Sequence, residues 1–249
     1  MLAGLVLAAI AYDVLQGPRD YRKLVASAET ADRQKVFRKW TWQSLEIYGL
    51  GSLAGLWLIG RLDALGTVPA EFSGVMAVLP VAADDFLVGL LLSALGVGVV
   101  LPVAISFIAI RKARARGEAP QSPEVALGEF AALMPRNAAE RRCALWLSIN
   151  AGICEELYFR LFVPLLLCIL LGNAIAAFLV AAVVFGVTHA YQGWIGIVAT
   201  AVVALVMTAL YLGTGQLWVP MAVHAFIDIN TLLIRPALMA LAEGQGAAR

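Results

Sequence analysis

The chain has 249 residues, of which 61% are hydrophobic and only 14% charged, and its mean hydropathy is +0.85. A soluble domain is typically about 45–50% apolar and about 25% charged, so the composition excludes an ordinary soluble globule and marks an integral membrane protein with one helical membrane domain. The net charge of +1 says nothing about nucleic acid, and no basic arm or basic patch interleaved with aromatics suggests it, so no nucleic-acid partner is expected.

Residues 2–15 are apolar but short for a span, which needs about 20 residues. They either cross with tilt or lie in the interface. The start, Met1-Leu2-Ala3-Gly4, lacks the basic region that opens a signal peptide. Residues 17–39 are polar and basic, with Arg19, Arg22, Lys23, Arg33, Lys35, Arg38 and Lys39. Residues 41–60 read as the first clear span, with Trp40 and Trp42 at one interface and Gly51 and Gly55 spaced for close approach of a neighbour. Residues 61–85 carry Asp63, Glu71, Asp84 and Asp85 against a single basic residue. Residues 86–110 read as the second clear span. Residues 111–142 are basic again, with a loop at 118–123 and a short surface helix expected over 126–134. Basic flanks stay in the cytoplasm. Both basic segments are therefore assigned inside and the acidic one outside, and the two intervening spans agree.

The second half is almost uninterrupted membrane. Residues 144–171 are too long for one straight span, so Pro164 is expected to kink the helix or end its first portion. Gly172-Asn173 turns the chain, 174–190 returns, 195–212 crosses, Gly213-Thr214-Gly215 turns, and 218–234 descends to Arg235. The expected architecture is an all-α, polytopic membrane protein of about 6–8 transmembrane helices with a four-helix core in the C-terminal half. It divides into N-terminal helices and basic loops (1–142), a membrane core (143–236) and a short tail (237–249).

Within the 144–171 stretch lie Glu155-Glu156-Leu157-Tyr158-Phe159-Arg160. A charge near the bilayer centre costs roughly 2.5–3.5 kcal/mol on insertion scales, so such residues are rare there and usually functional. Glu156 and Arg160 stand four apart, acid first, which suits a pair along one helix face. Glu155 lies about 100° round the helix. The simplest assignment gives Glu156 to Arg160 as counter-charge and leaves Glu155 for chemistry. The alternative is an ion cluster between helices.

The chain has two histidines, His189 and His224, on different helices from the glutamates and from each other. In lipid an imidazole needs a partner. Asp228, four after His224, can orient or charge-balance that ring. Phe185 is expected to pack beside His189, and Gly152 to admit a close helix crossing. The three cysteines, Cys143, Cys154 and Cys168, form no CxxC pair or disulfide framework. Cys154 adjoins the glutamates, but burial beside two carboxylates leaves a thiol unreactive.

A carboxylate in an apolar pocket suits abstraction of a proton from water near neutral pH. Nearby imidazoles bind a metal or donate to the oxyanion of a tetrahedral intermediate. Together these groups equip a site to hydrolyse a peptide bond within a membrane. H-E-x-x-H, Gly-x-Ser-x-Gly and Gly-x-Gly-Asp signatures are missing from the chain.

Glu155-Glu156-x-x-x-Arg160, Phe185-x-x-x-His189 and His224-x-x-x-Asp228, in that order, resemble the motifs of the CAAX-protease and bacteriocin-processing (CPBP, or Abi) family of intramembrane endopeptidases. The run 210–220 before His224 shares that look, and the resemblance covers about 148–233. It implies a helical membrane core open toward the cytoplasmic side. It implies also that Glu155 activates the attacking water, that Glu156 and Arg160 support it, and that His189, His224 and Asp228 hold the water and stabilise the oxyanion. The family's fourth position is Asn or Asp. Many members have glycine after the arginine, where this chain has Leu161. The resemblance leaves a glutamate and a metallo-mechanism both open, with Glu155, His189 and His224 as the ligand set for a zinc ion (Zn2+). The implied partners are the lipid bilayer and a protein or peptide with a membrane-associated C-terminal segment: a CAAX-like tail, a bacteriocin or a sorting signal. Compactness points to a bacterial-type member in the inner membrane. The rival reading is a non-enzymatic immunity or scaffold homologue, or a small transporter using Glu155 and His189 as a proton relay. A transporter more naturally shows inverted repeats, which this sequence does not.

Overall fold

The structure, a computed structural model, describes residues 2–79 and 132–237 and the isolated positions 89, 108 and 116. The expected span at 86–110, the loop at 118–123, most of the surface helix at 126–134 and the tail from 238 lie outside the described residues. Every regular element among the described residues is helical.

The first helix, α1 (Leu2–Ala26), is continuous through Pro18 and 25 residues long. Leu2, Val6 and Ile10, one turn apart, pack on the main core. The next rod runs without a break from residue 30 to residue 58: α2 (Thr30–Gln43), a π-helical segment (Ser44–Leu50) and α3 (Gly51–Leu58). It starts well before the expected span because the polar α2 packs along α5 (Ala138–Glu156), which comes after the short α4 (Ser73–Met76) in chain order among the described residues. Of the two glycines expected to admit a neighbour, Gly55 does so. A Cβ there would sit 2.3 Å from the Phe162 ring, whereas at Gly51 it would meet only Glu46 O, at 3.5 Å.

Asn137 starts α5 by accepting from the Ala139 and Glu140 amides at 3.0 Å, a side-chain N-cap. The helix then passes through a π-helical turn (Leu157–Phe162) into α6 (Val163–Leu171). Pro164 neither ends nor breaks this rod. It cannot donate to a carbonyl one turn back, and the widened turn stands directly before it. Another π-helical segment, Asn230–Ile234, likewise precedes Pro236. Gly172, at φ +65°, reverses the chain into α7 (Ala174–Thr188), and a 3-10 turn at Ala190–Gln192 leads to α8 (Gly193–Thr214). The last helix, α9 (Trp218–Ile229), crosses α5 closely.

Arg33 and Glu140 are both fully buried where α1, α2 and α5 meet. The Arg33 guanidinium donates to Glu140 Oε2 at 2.9 Å and to the carbonyls of Leu24, Ala132 and Met134. Burial pushes the Glu140 carboxyl up, but the Arg136 amide and the hydrogen bond and charge of Arg33 outweigh it. The carboxyl is held below its usual range. Arg61, the lone basic residue of the acidic segment, pairs with Glu71 and approaches Asp63.

Outward faces are apolar. Ile175, Leu179 and Val183 on α7 and Ile195, Val198 and Val202 on α8 are exposed, a surface that soluble monomers rarely present. Among the described residues, Ala190–Thr214 is the one helix long and apolar enough to cross a membrane, and Ala174–Thr188 is a shorter apolar helix. The rod 138–171 carries Glu155, Glu156 and Arg160 across its middle. A count of about 6–8 spans therefore does not follow from the described residues.

Candidate active site

Glu156 and Arg160 are fully buried, and their pairing follows the helix. Arg160 Nη2 donates to Glu156 Oε1 at 3.0 Å, with Nε 2.9 Å from Oε2. The guanidinium also lies 4.7 Å over the Phe185 ring, so α7 caps the pair from the far side. Glu156 Oε1 accepts a second bond from another helix, His224 Nδ1 at 2.7 Å. Removing one member of a buried pair leaves an uncompensated charge, at about 3–5 kcal/mol. This cluster holds α5 to α9.

Gly152 makes that crossing possible. A Cβ on it would lie 2.7 Å from the Ala225 nitrogen and 2.8 Å from Met221 O. Any side chain there would lift α9, and His224 with it, off Glu156. Gly152 thus serves packing, and the packing sets the site.

With Nδ1 held by Glu156, His224 turns Nε2 between Glu155 Oε2 and Asp228 Oδ2, each 3.9 Å away. The sequence suggested Asp228 as the ring's orienting partner. The short hydrogen bond instead comes from Glu156 across the crossing, and Asp228 stands at charge-balancing distance. His189 occupies the C-terminal end of α7. Its Nδ1 donates to Phe185 O at 2.8 Å, leaving Nε2 uncommitted. The Phe185 ring packs beside His189 at 4.6 Å and edge-on to His224 at 6.1 Å.

Glu155, His189, His224 and Asp228 all line one cavity of about 270 Å³. Glu155 differs from its neighbour in sequence in lining this cavity and in its charge partner: Glu156 Oε2 lies 2.9 Å from Arg160 Nε, whereas the nearest cationic group to Glu155 Oε2 among the described residues is His224 Nε2 at 3.9 Å. Glu156 and Arg160 stand behind the wall, and Cys154, also off the cavity, places its Sγ 3.5 Å from Asn150 Oδ1. The remaining walls come from outside the C-terminal half, including Phe37, Trp40, Gln43, Ser44 and Tyr48 from the α2 rod and Asp13 from α1. Asp13 was missed. It accepts from Gln43 Nε2 at 2.6 Å and from the Tyr48 hydroxyl at 2.8 Å. The signal was present, since Asp13 is the one acidic residue in the apolar stretch 2–15.

Among the described residues, no three His, Cys, Asp or Glu side chains gather closely enough to hold a metal ion. Both imidazoles have Nδ1 engaged by protein. As placed, Glu155, His189 and His224 do not form the zinc set that the sequence left open, and no step below is routed through a metal. The arrangement instead offers a carboxylate whose Oε2 has no hydrogen-bond partner among the described residues, lining one small cavity together with two imidazoles. Such a site can take a proton from water and return it.

Residues 140–230 match the family described as Rce1-like, type II CAAX prenyl endopeptidase. That stretch holds every motif on which the resemblance to the CPBP endopeptidases rests. Neither the curated proteins nor the solved structures contain a match to this chain.

Proposed function

We propose, from the match of residues 140–230 to the type II CAAX prenyl endopeptidase Rce1-like family, that this protein is an intramembrane endopeptidase with Glu155 as the base that activates water. Its substrate is a protein or peptide cut near its C-terminus or within a membrane-associated segment. A CAAX-like tail is the first member of that class to try. The observation that carries the reading is the contrast between adjacent glutamates: Glu156, off the cavity, is ion-paired with Arg160 and bonded by His224, while Glu155 lines the cavity with His224 Nε2 no nearer than 3.9 Å.

In the proposed reaction, Glu155 takes a proton from water as the oxygen bonds to the scissile carbonyl carbon. The C=O π pair moves onto oxygen. The oxyanion accepts from a protonated His224 at Nε2, whose charge Glu156 balances through Nδ1. His189 Nε2 accepts a hydrogen bond from the attacking water and fixes its position. Collapse breaks the C–N bond, and Glu155 returns its proton to the departing amine. General acid–base catalysis of this kind contributes about 10²–10⁴-fold, and preorganised oxyanion donors contribute on top of it.

The protein works embedded in a bilayer. Trp194 is exposed near the start of α8 and Trp218 at the start of α9, as are Trp42 and Trp57 along the α2–α3 rod, an arrangement that suits two interfacial belts. Phe37 and Trp40, beside the basic segment, line the cavity, which supports entry from the cytoplasmic side. The catalytic core is 143–236. Purified protein in liposomes, given farnesylated peptides ending in CAAX-type tetrapeptides, is expected to release one fragment pair by mass spectrometry. Intact peptides combined with pH-dependent ion flux would replace this reading with the transporter.

A further inference from the structure

Opposite the histidines, the cavity carries a polar strip that lies outside the matched segment and takes no part in the chemistry above. Asp13, Gln43, Ser44 and Tyr48 line it, from α1, the last residue of α2 and the π-helical segment that follows. A carboxylate only accepts hydrogen bonds. Gln43 must therefore present its NH2 to Asp13, as the 2.6 Å contact shows, and this fixes Oε1 as an acceptor directed elsewhere. Gln43 Oε1 and Ser44 Oγ are both buried without a hydrogen-bond partner among the described residues, and Ser44 is only 6% exposed. Thr41 and Ser52, on the same rod, give their hydroxyls to the carbonyl four residues back, at 2.9 Å and 2.5 Å. Ser44 does not. Two polar atoms on successive residues that line the cavity holding Glu155, one locked in orientation from another helix, thus stand without partners among the described residues.

We propose that Gln43 Oε1 and Ser44 Oγ form a main-chain docking strip, which pairs with the amide N–H and carbonyl groups of an extended peptide segment leading into Glu155, and that Asp13 is the positioning residue holding Gln43 in its accepting orientation. This rests on the endopeptidase reading. A peptide entering an apolar cavity must find partners for its own backbone groups, and a fixed acceptor beside a hydroxyl, which both donates and accepts, matches one peptide unit. Pairing through the main chain tolerates varied side chains. The strip therefore sets the register of the cut relative to Glu155 and leaves the side-chain sequence to other parts of the cavity.

The test uses the full-length protein in liposomes and an internally quenched, farnesylated CAAX-type peptide, with each backbone amide N-methylated in turn. Gln43→Met keeps the shape and removes the acceptor. It is expected to raise KM roughly tenfold, the size of one buried hydrogen bond, with kcat little changed. Ser44→Ala should act the same way, and Asp13→Asn, which no longer dictates how the Gln43 amide turns, should give an intermediate rise. N-methylation at one position should weaken wild type by the same factor and cost Gln43→Met nothing further, an outcome that a general loss of folding cannot produce. If wild type cleaves and every N-methyl peptide affects Gln43→Met as much as wild type, the strip is wrong while the endopeptidase stands. If wild type cleaves none of the parent peptides, both fall together.

Discussion

Gly152→Ala tests whether one close crossing sets the site. The added Cβ would lie 2.7 Å from the Ala225 nitrogen and 2.8 Å from Met221 O. Both are backbone atoms of α9, so no rotamer change relieves them. To reach ordinary contact, α9 must retreat by about 0.7 Å, an overpacking strain of about 1–3 kcal/mol. His224 sits on the retreating helix, and its 2.7 Å bond to Glu156 and its 3.9 Å approach to Glu155 open together. Misplacement by about 1 Å at a reacting centre costs on the order of 10²-fold. The expected result is a Tm lower by about 2–10 °C and a kcat lower by roughly tenfold to a hundredfold, with KM nearly constant. Ala225→Gly in the same chain should not restore activity, because two of the three nearest contacts are backbone. Gly51→Ala, which meets only Glu46 O at 3.5 Å, serves as the control. Full turnover by Gly152→Ala, or complete rescue by Ala225→Gly, would refute the reasoning.

Arg160→Met strands Glu156 in the core, so it should destabilise by about 3–5 kcal/mol, read as a large drop in thermal midpoint even in samples that retain some turnover. Asp228→Asn, which alters a group 3.9 Å from the His224 ring, should leave the thermal midpoint nearly unchanged and reduce kcat far less than Glu156→Gln does. Glu140 gives a pH signature. Its carboxyl is held below the usual range, so its contribution is complete above the unfolded carboxyl pKa of about 4.3 and is lost as pH falls through the lowered folded value. The advantage of wild type over Glu140→Gln in thermal midpoint should be constant from pH 7 to 5 and shrink below about pH 4. A constant gap throughout would contradict the pairing with Arg33. Incubation with a strong zinc chelator should leave hydrolysis intact, since no three His, Cys, Asp or Glu side chains among the described residues gather closely enough to hold the ion. Loss restored by added zinc would reopen the metal route.

What the sequence disclosed about the site is what helical spacing encodes. Four residues from Glu156 to Arg160, with Glu155 turned aside, describe one helix face, and the same rule puts Phe185 against His189. Contacts across the polymer were hidden. His224 lies 68 residues from the Glu156 that binds it, and Arg33 lies 107 from Glu140. No local pattern announces either partner, and Arg33 read as one solvated charge in a basic run. Pro164 was expected to kink the helix or end its first portion, and the helical run passes through it by way of a widened turn that spacing alone does not announce. Asp13 was legible only as an oddity in an apolar stretch. Its partners, Gln43 and Tyr48, become neighbours through the packing of α1 on the α2 rod.

The most direct measurement compares wild type, Glu155→Gln and Glu155→Ala for hydrolysis of one farnesylated CAAX-type peptide in liposomes. Glu155→Gln keeps the size of the side chain and loses the base. Turnover is expected to fall by about 10³-fold or more in both variants, with the thermal midpoint and peptide binding by Glu155→Gln preserved. Hydrolysis at or near the wild-type rate in either variant would show that another group deprotonates the water.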